Sequence, residues 1–279
     1  MNLVIKRSLF VLIIHTLLVS VVHAETAKDC VVGKETVINN HLALLNMPEF
    51  NHAREVETVT ESDNTHSAFY YKFNYDRCGQ LTDMYAQITR NELRFRIDSS
   101  YDIRRNQQGW RNSYNVTLFG MNKLFYAREG AIDYHTDDKG LIVSSTDNYL
   151  SGSDDKKAEN GVTNGIYKTD DKFRMAYSLL SGSDETVNGE YRFFFQPDNK
   201  PFALIGPTMS ISYLYDSQQR ASGMIEITVS PYYLGNKKTD CLEWNERNDC
   251  TKSISKELEL FPTYVVDRTT VLRSTYTYW

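Results

Sequence analysis

The feature that most constrains this chain is alternation with a period of two, repeated from Ser67 to the last residue. In "SAFYYKFNYD", Phe69, Tyr71, Phe73 and Tyr75 alternate with more polar neighbours. In "NELRFRID", Leu93, Phe95 and Ile97 oppose Arg94, Arg96 and Asp98. Successive side chains on a strand point to opposite faces, so such runs are half-buried antiparallel strands. The segments between them, "DRCGQ", "DDKG" and "PDNK", carry turn chemistry. In "GMIEITVS" the same rule turns Ile225, Ile227 and Val229 inward and Glu226, Thr228 and Ser230 outward. "FRMAYSLL" is compatible with a short helix or a strand, and "KELELFPTYVV" and "TTVLRSTYTYW" close the chain as strands.

Two segments break the rhythm. In "KETVINNHLALLNM", Val37, Ile38, His41, Leu42 and Leu45 share one helical face ahead of Pro48, which predicts a short helix. Between Trp110 and Phe125 the large apolar residues Trp110, Tyr114, Leu118, Met121 and Phe125 step by three or four, which predicts a second helix, with Tyr114, Val116 and Leu118 also compatible with a strand. The stretch from Asp147 to Gly165 is rich in Ser, Gly, Asp and Lys and is expected to form a mobile loop. "LSGSD" occurs at 150–154 and again at 180–184, which reads as a shared turn sequence.

The first 24 residues combine Lys6 and Arg7, an apolar run from Leu9 to Val22 and a small-residue ending at Ala24. That is a secretory signal, with cleavage after Ala24 and no further transmembrane segment expected. Its removal moves the net charge from -5 to -7. A mildly acidic, mixed-sign surface argues against nucleic acid as a partner. An exported chain oxidises its thiols, so Cys30, Cys78, Cys241 and Cys250 are expected to pair. Three pairings exist, and Cys30–Cys78 with Cys241–Cys250 is preferred.

Motifs that carry chemistry are few. The sequence holds no GxSxG elbow, Walker loop or GxGxxG turn, and no HExxH spacing. No cofactor and no metal are expected, and no catalytic residue is assigned. Acidic clusters fall in turn-like segments, where Asp bonds local backbone. The positive signal is aromatic: 19 Tyr, 13 Phe and 3 Trp. Most of these pack within sheets, yet paired runs such as "FYYKFNY" and "PYY" must place some hydroxyls outward, and a Tyr-lined cleft suits small amphipathic ligands, amines, sugars or a partner surface.

"AIDYHTDDKGLIVSST" and "FALIGPTMSISYLYDSQQRASGMIEITVSPYYL" resemble the hairpins of Cache (PAS-like) extracellular sensor domains, over about 110–235. The resemblance implies an α+β, β-dominated fold with antiparallel sheets and one or two helices; an all-β sandwich or meander is the alternative. It divides the mature chain into an N-terminal β-rich region (25–105), a ligand-binding region (106–235) and a C-terminal disulfide loop with strands (236–279). It places ligand-reading residues at Arg174, Tyr177 and Asp216. No Trp follows Arg174 and no signalling domain is seen, so binding rather than transmembrane signalling is what carries over. "FNYDRCGQL" and "YLYDSQQR" are also similar to YD (Rhs-type) repeats. Together these readings describe a periplasmic or secreted non-catalytic protein. It would recognise a small ligand, or a cell-envelope or host protein as an adhesin does, with an unrecognised hydrolase as the third option.

Overall fold

The computed structural model describes residues 30, 32–47, 52–91, 94–121, 123–231 and 233–279. The signal sequence, Pro48 and Leu93 lie outside the described residues. One helix, α1 (Lys34–Leu45), precedes sixteen strands. They are β1 (Ala53–Asp63), β2 (Ala68–Tyr75), β3 (Leu81–Asn91), β4 (Phe95–Asn106), β5 (Gly109–Gly120), β6 (Lys123–Thr136), β7 (Ile142–Ser153) and β8 (Lys156–Thr169), then β9 (Met175–Gly182), β10 (Gly189–Phe195), β11 (Pro201–Ile205), β12 (Met209–Tyr215), β13 (Ala221–Val229), β14 (Leu234–Trp244), β15 (Cys250–Leu260) and β16 (Val265–Tyr278). Each strand pairs antiparallel with its neighbour in sequence, and β1 pairs with β16, so the sheet closes into a barrel.

Closure corrects the sensor-domain reading. A Cache or PAS-like fold has an open sheet with free edges, and this sheet has none. An α+β architecture, an open sandwich and a shell of YD repeats are excluded in the same way. Strands from 25–105, 106–235 and 236–279 all enter the one barrel.

The hairpins that resemble those of sensor domains and of YD repeats share one turn. Asp76, Asp137, Asp170, Asp216 and Asn245 each open a connection at the same end of the barrel. Each side chain accepts the backbone N–H two and four residues on, at 2.9–3.0 Å. The fourth residue is left-handed: Gly79, Gly140, Phe173, Gln219 and Asn248 have φ of 59–77°. This is a type I turn with a bulge, favoured wherever Asp or Asn starts a tight hairpin. The two "LSGSD" copies sit at equivalent places, the far ends of β7 and β9.

Inside and outside follow from parity. Phe69, Tyr71 and Phe73 turn inward with Val56 and Thr58, as the alternation predicts, while Glu57 and Lys72 face out. The helix expected between Trp110 and Phe125 is instead the β5–β6 hairpin, with Trp110, Asn112, Tyr114, Val116 and Leu118 on the inner face. Cross-strand pairing over twelve residues overrides the helical spacing. "FRMAYSLL" forms β9. The loop expected over 147–165 is strand as well, the end of β7 and most of β8. It is polar on both faces because one side meets water and the other meets the buried Arg128–Asp147 pair. In β13 the inward and outward faces are reversed. Ile227 and Val229 lie exposed, while Glu226 pairs in register with buried Ile211 and inward Lys237. The apolar-in rule fails there because the lumen at that height is charged.

The predicted helix is present and lies inside the barrel. Val37, His41, Leu42 and Leu44 are buried, but so are Asn39 and Asn40, so the helix is surrounded rather than laid on a surface. It ends at Asn46, whose left-handed backbone N–H donates to the Leu42 carbonyl. Asn39 donates to the Phe173 carbonyl (2.7 Å) and accepts from the Met175 N–H (2.8 Å). Asn40 does the same with Gly140 and Ile142, both at 2.9 Å. Each amide thus extends a strand terminus by one rung. The Cys30–Cys78 disulfide ties the lead-in of α1 to the β2–β3 turn, and Cys241–Cys250 bridges the β14–β15 hairpin, as preferred from the sequence.

Candidate functional site

The lumen is filled on one side and hollow on the other. Against α1, Leu81, Ile103, Trp110 and Ile142 form one packed cluster and Met175, Tyr191, Leu204 and Ile211 a second. Trp110 is 1% exposed, and its indole N–H donates to the Leu81 carbonyl at 2.8 Å. Facing the last turn of α1, the inner walls of β1–β4 and β12–β16 enclose a chamber of about 600 Å³.

The chamber walls are mainly aromatic and aliphatic. Phe69, Phe73, Met84, Ile88, Met224 and Leu272 supply apolar surface, and Tyr71, Tyr101, Tyr213 and Tyr276 add rings. Burial pushes the Tyr71 phenol up to about 12, so it stays a neutral hydrogen-bond donor at any physiological pH. Polar groups gather on one wall, where Thr58 bonds Ser274 (2.8 Å) and Thr239 bonds Ser255 (3.1 Å). A 300–1,000 Å³ cavity with apolar walls and a few placed polar groups is the ordinary form of a small-molecule site.

The two ends differ. Toward the β15–β16 connection the chamber meets a buried ion network. Arg90 reaches Glu257 (3.3 Å) and Glu259 (2.9 Å), and Arg268, 1% exposed, reaches Glu257 at 2.6 Å. Beyond it a file of rings crosses the barrel end: Phe125 to Phe95 (5.5 Å), Phe95 to Tyr264 (6.3 Å), Tyr264 to Phe261 (4.4 Å), Phe261 to Tyr233 (5.2 Å). At the helix end the chamber adjoins a vestibule of about 380 Å³ between the first turn of α1 and the β10–β15 turns; both cavities share Tyr215, Ala221, Cys250 and Tyr276.

The sequence-derived candidates do not converge. Arg174 lies in the vestibule wall, where it braces its own turn by donating to Asp170 (2.8 and 2.6 Å) and Asn199 (3.1 Å), over the ring of Phe195. Asp216 braces the equivalent turn of the β12–β13 hairpin, accepting from the backbone and side chain of Arg220. Tyr177 pairs with Lys168 and Arg192 on the outer face of β9. What the sequence did signal was the "FYYKF" run, whose inward rings Phe69, Tyr71 and Phe73 are chamber wall. Closure of the sheet, which makes that wall concave, left no local mark.

No protein-family model matches this chain, and no curated protein does. Among solved structures it is similar to a porin-like protein from Bacteroides uniformis, with a TM-score of 0.44 and 10% identity over 82% of this chain and 99% of that one.

Two other features of the barrel wall lie apart from the chamber. A broad depression of about 780 Å³ lies on the outer wall across β3–β8. Inside that wall, Arg128 stacks on Tyr149 (3.7 Å), bonds Asp147 (2.7 Å), Tyr114 (2.8 Å) and Asp184, and is held there by neighbouring Gly161, where a Cβ would meet the Tyr149 ring at 2.1 Å. Every partner of Arg128 is satisfied, which makes it a structural clamp. Among the described residues no group of three or more His, Cys, Asp or Glu could hold a metal ion.

Proposed function

We propose that this is an exported, non-catalytic binding protein of the cell envelope that holds a small apolar or amphipathic ligand inside its barrel. The observation that carries the reading is the contrast within one lumen. The side against α1 is packed as tightly as a protein core, while the side facing β1–β4 and β12–β16 keeps an unfilled chamber with apolar walls. A ligand seated there takes the apolar walls out of water, which is the driving force for binding.

A second reading, a membrane-spanning barrel, draws on the closed sixteen-strand architecture. The outer face of β1, β2, β4 and β6 counts against it. Glu57, Lys72, Asp98, Asp102 and Glu129 project there; on a lipid-facing strand a lysine costs ~2–4 kcal/mol at mid-membrane and an acid somewhat less. Carbonate extraction of envelope fractions separates the two readings, because a spanning barrel stays with the membrane pellet.

The binding test uses a neutral solvatochromic naphthylamine probe. Binding should brighten it and raise the melting temperature by mass action. Ser253, which lines the chamber, becomes Phe in a filling variant. We expect Ser253→Phe to melt as the parent does and to bind the probe at least tenfold more weakly. Equal affinity removes the chamber as the site.

A further inference from the structure

On the outer wall, register places apolar side chains in rows. Val229, Leu234, Leu260 and Val265 are successive cross-strand partners on β13–β16. They are 42–52% exposed. Two residues further down each strand, Ile205, Ile227 and Leu258 continue the surface, interrupted by Ser210 and Asn236 and ended on β16 by the exposed Asp267. One row lower again, Lys238 and Lys256 are direct partners. Residues two apart on a strand are ~7 Å apart, so the lysines stand ~13 Å below the outermost apolar row. Above that row the connections 230–233 and 261–264, "SPYY" and "FPTY", contain no charged residue and supply the stacked rings of Tyr233, Phe261 and Tyr264.

Apolar tip, apolar band, then lysines is the order in which a bilayer offers acyl chains, interface and phosphates. Interfacial elements bury their apolar side ~5–10 Å into the headgroup–acyl boundary. A lysine stem lies along apolar surface while its ammonium reaches phosphate. Lys238 shares its charge with Asp240 at 2.8 Å. Lys256 is exposed and makes no ion pair among the described residues. We propose that the β13–β16 rim docks the barrel onto an anionic lipid surface, tip inward, without spanning it. A second copy of the chain is the competing occupant, and the lipid-free dimer outcome below tests it.

The experiment is vesicle flotation of the signal-cleaved protein with phosphatidylglycerol-containing and pure phosphatidylcholine vesicles. We expect binding to the anionic vesicles, weakened at least tenfold by the double variant Leu234→Glu with Leu260→Glu. Lys256→Glu should weaken only the anionic binding, by roughly fivefold, in line with one basic residue at a charged surface. Leu234→Trp provides a readout independent of those variants, its emission shifting to the blue when anionic vesicles are added. Three results overturn the proposal: no flotation with either vesicle, flotation unchanged in the double glutamate variant, or a lipid-free dimer that this variant turns into monomer. None of these bears on the chamber, whose probe assay needs no lipid.

Discussion

The attachment of α1 inside the barrel rests on two asparagines, and Asn40 allows a sharp test. Its amide is 1% exposed and makes one bond as donor, to the Gly140 carbonyl, and one as acceptor, from the Ile142 N–H. Asn40→Ala takes this partner from the buried Ile142 N–H and from the half-buried Gly140 carbonyl. Each such group costs ~1–3 kcal/mol, so we expect a loss of about 2–4 kcal/mol. For a chain of this size that is a fall in Tm of about 5–15 °C. Asn40→Asp separates hydrogen bonding from packing. The charged carboxylate still accepts from Ile142 but opposes the Gly140 carbonyl, whereas its protonated form regains a donor. The aspartate variant should therefore close part of its gap to the parent as pH falls from 7 to 5. The assay is thermal unfolding followed by far-ultraviolet circular dichroism at both pH values, with probe binding to report the chamber. If Asn40→Ala melts within 1 °C of the parent, the helix is not held by these rungs and the reasoning fails.

Two further outcomes concern the Asp184 carboxylate and the second disulfide. Burial alone would raise the Asp184 carboxyl, but hydrogen bonds from Thr186 and Arg128 outweigh it and hold the group below its ordinary value. A carboxyl depressed in the folded state adds stability above its unfolded pKa of about 3.9 and loses it as pH falls through the folded value. Asp184→Asn should thus be less stable than the parent at pH 7, with the difference shrinking below pH 4 in urea titrations. Cys241→Ser opens the bridge across the β14–β15 hairpin; a loss of about 2–3 kcal/mol by denaturant unfolding is expected for so short a loop, and an unchanged midpoint refutes it.

Much of the fold was legible residue by residue. Alternation located the strands around Phe69–Tyr75 and Phe95–Asp98, Asp-initiated turns located the hairpins, and cysteine count in an exported chain located both bridges. The errors have separate physical causes. Trp110 to Phe125 has helical spacing because an inward-facing strand residue every second position also places large side chains four apart. The faces of β13 were inverted because the inner wall of a barrel can carry charge, as Glu226, Lys237 and Glu257 do in adjacent register. The 147–165 segment looked too polar to be ordered because its burial partner, Arg128, lies elsewhere in the chain. The chamber was half legible: its rings were noticed, but concavity arises only when β16 meets β1.

That last pairing governs how the molecule can be made. Ala53 is matched with Tyr278, and the seam runs from there along the strands to Asp63 and Thr270. A polypeptide threaded through a membrane amino end first must present β1 with one flank of amides and carbonyls open until β16 has crossed. Over that interval the chain is an unsealed ribbon, and such edges invite other strands. Contacts of such wide separation also form slowly. Closure of the barrel therefore waits for β16, and loss of that strand would leave a sticky sheet rather than a smaller barrel.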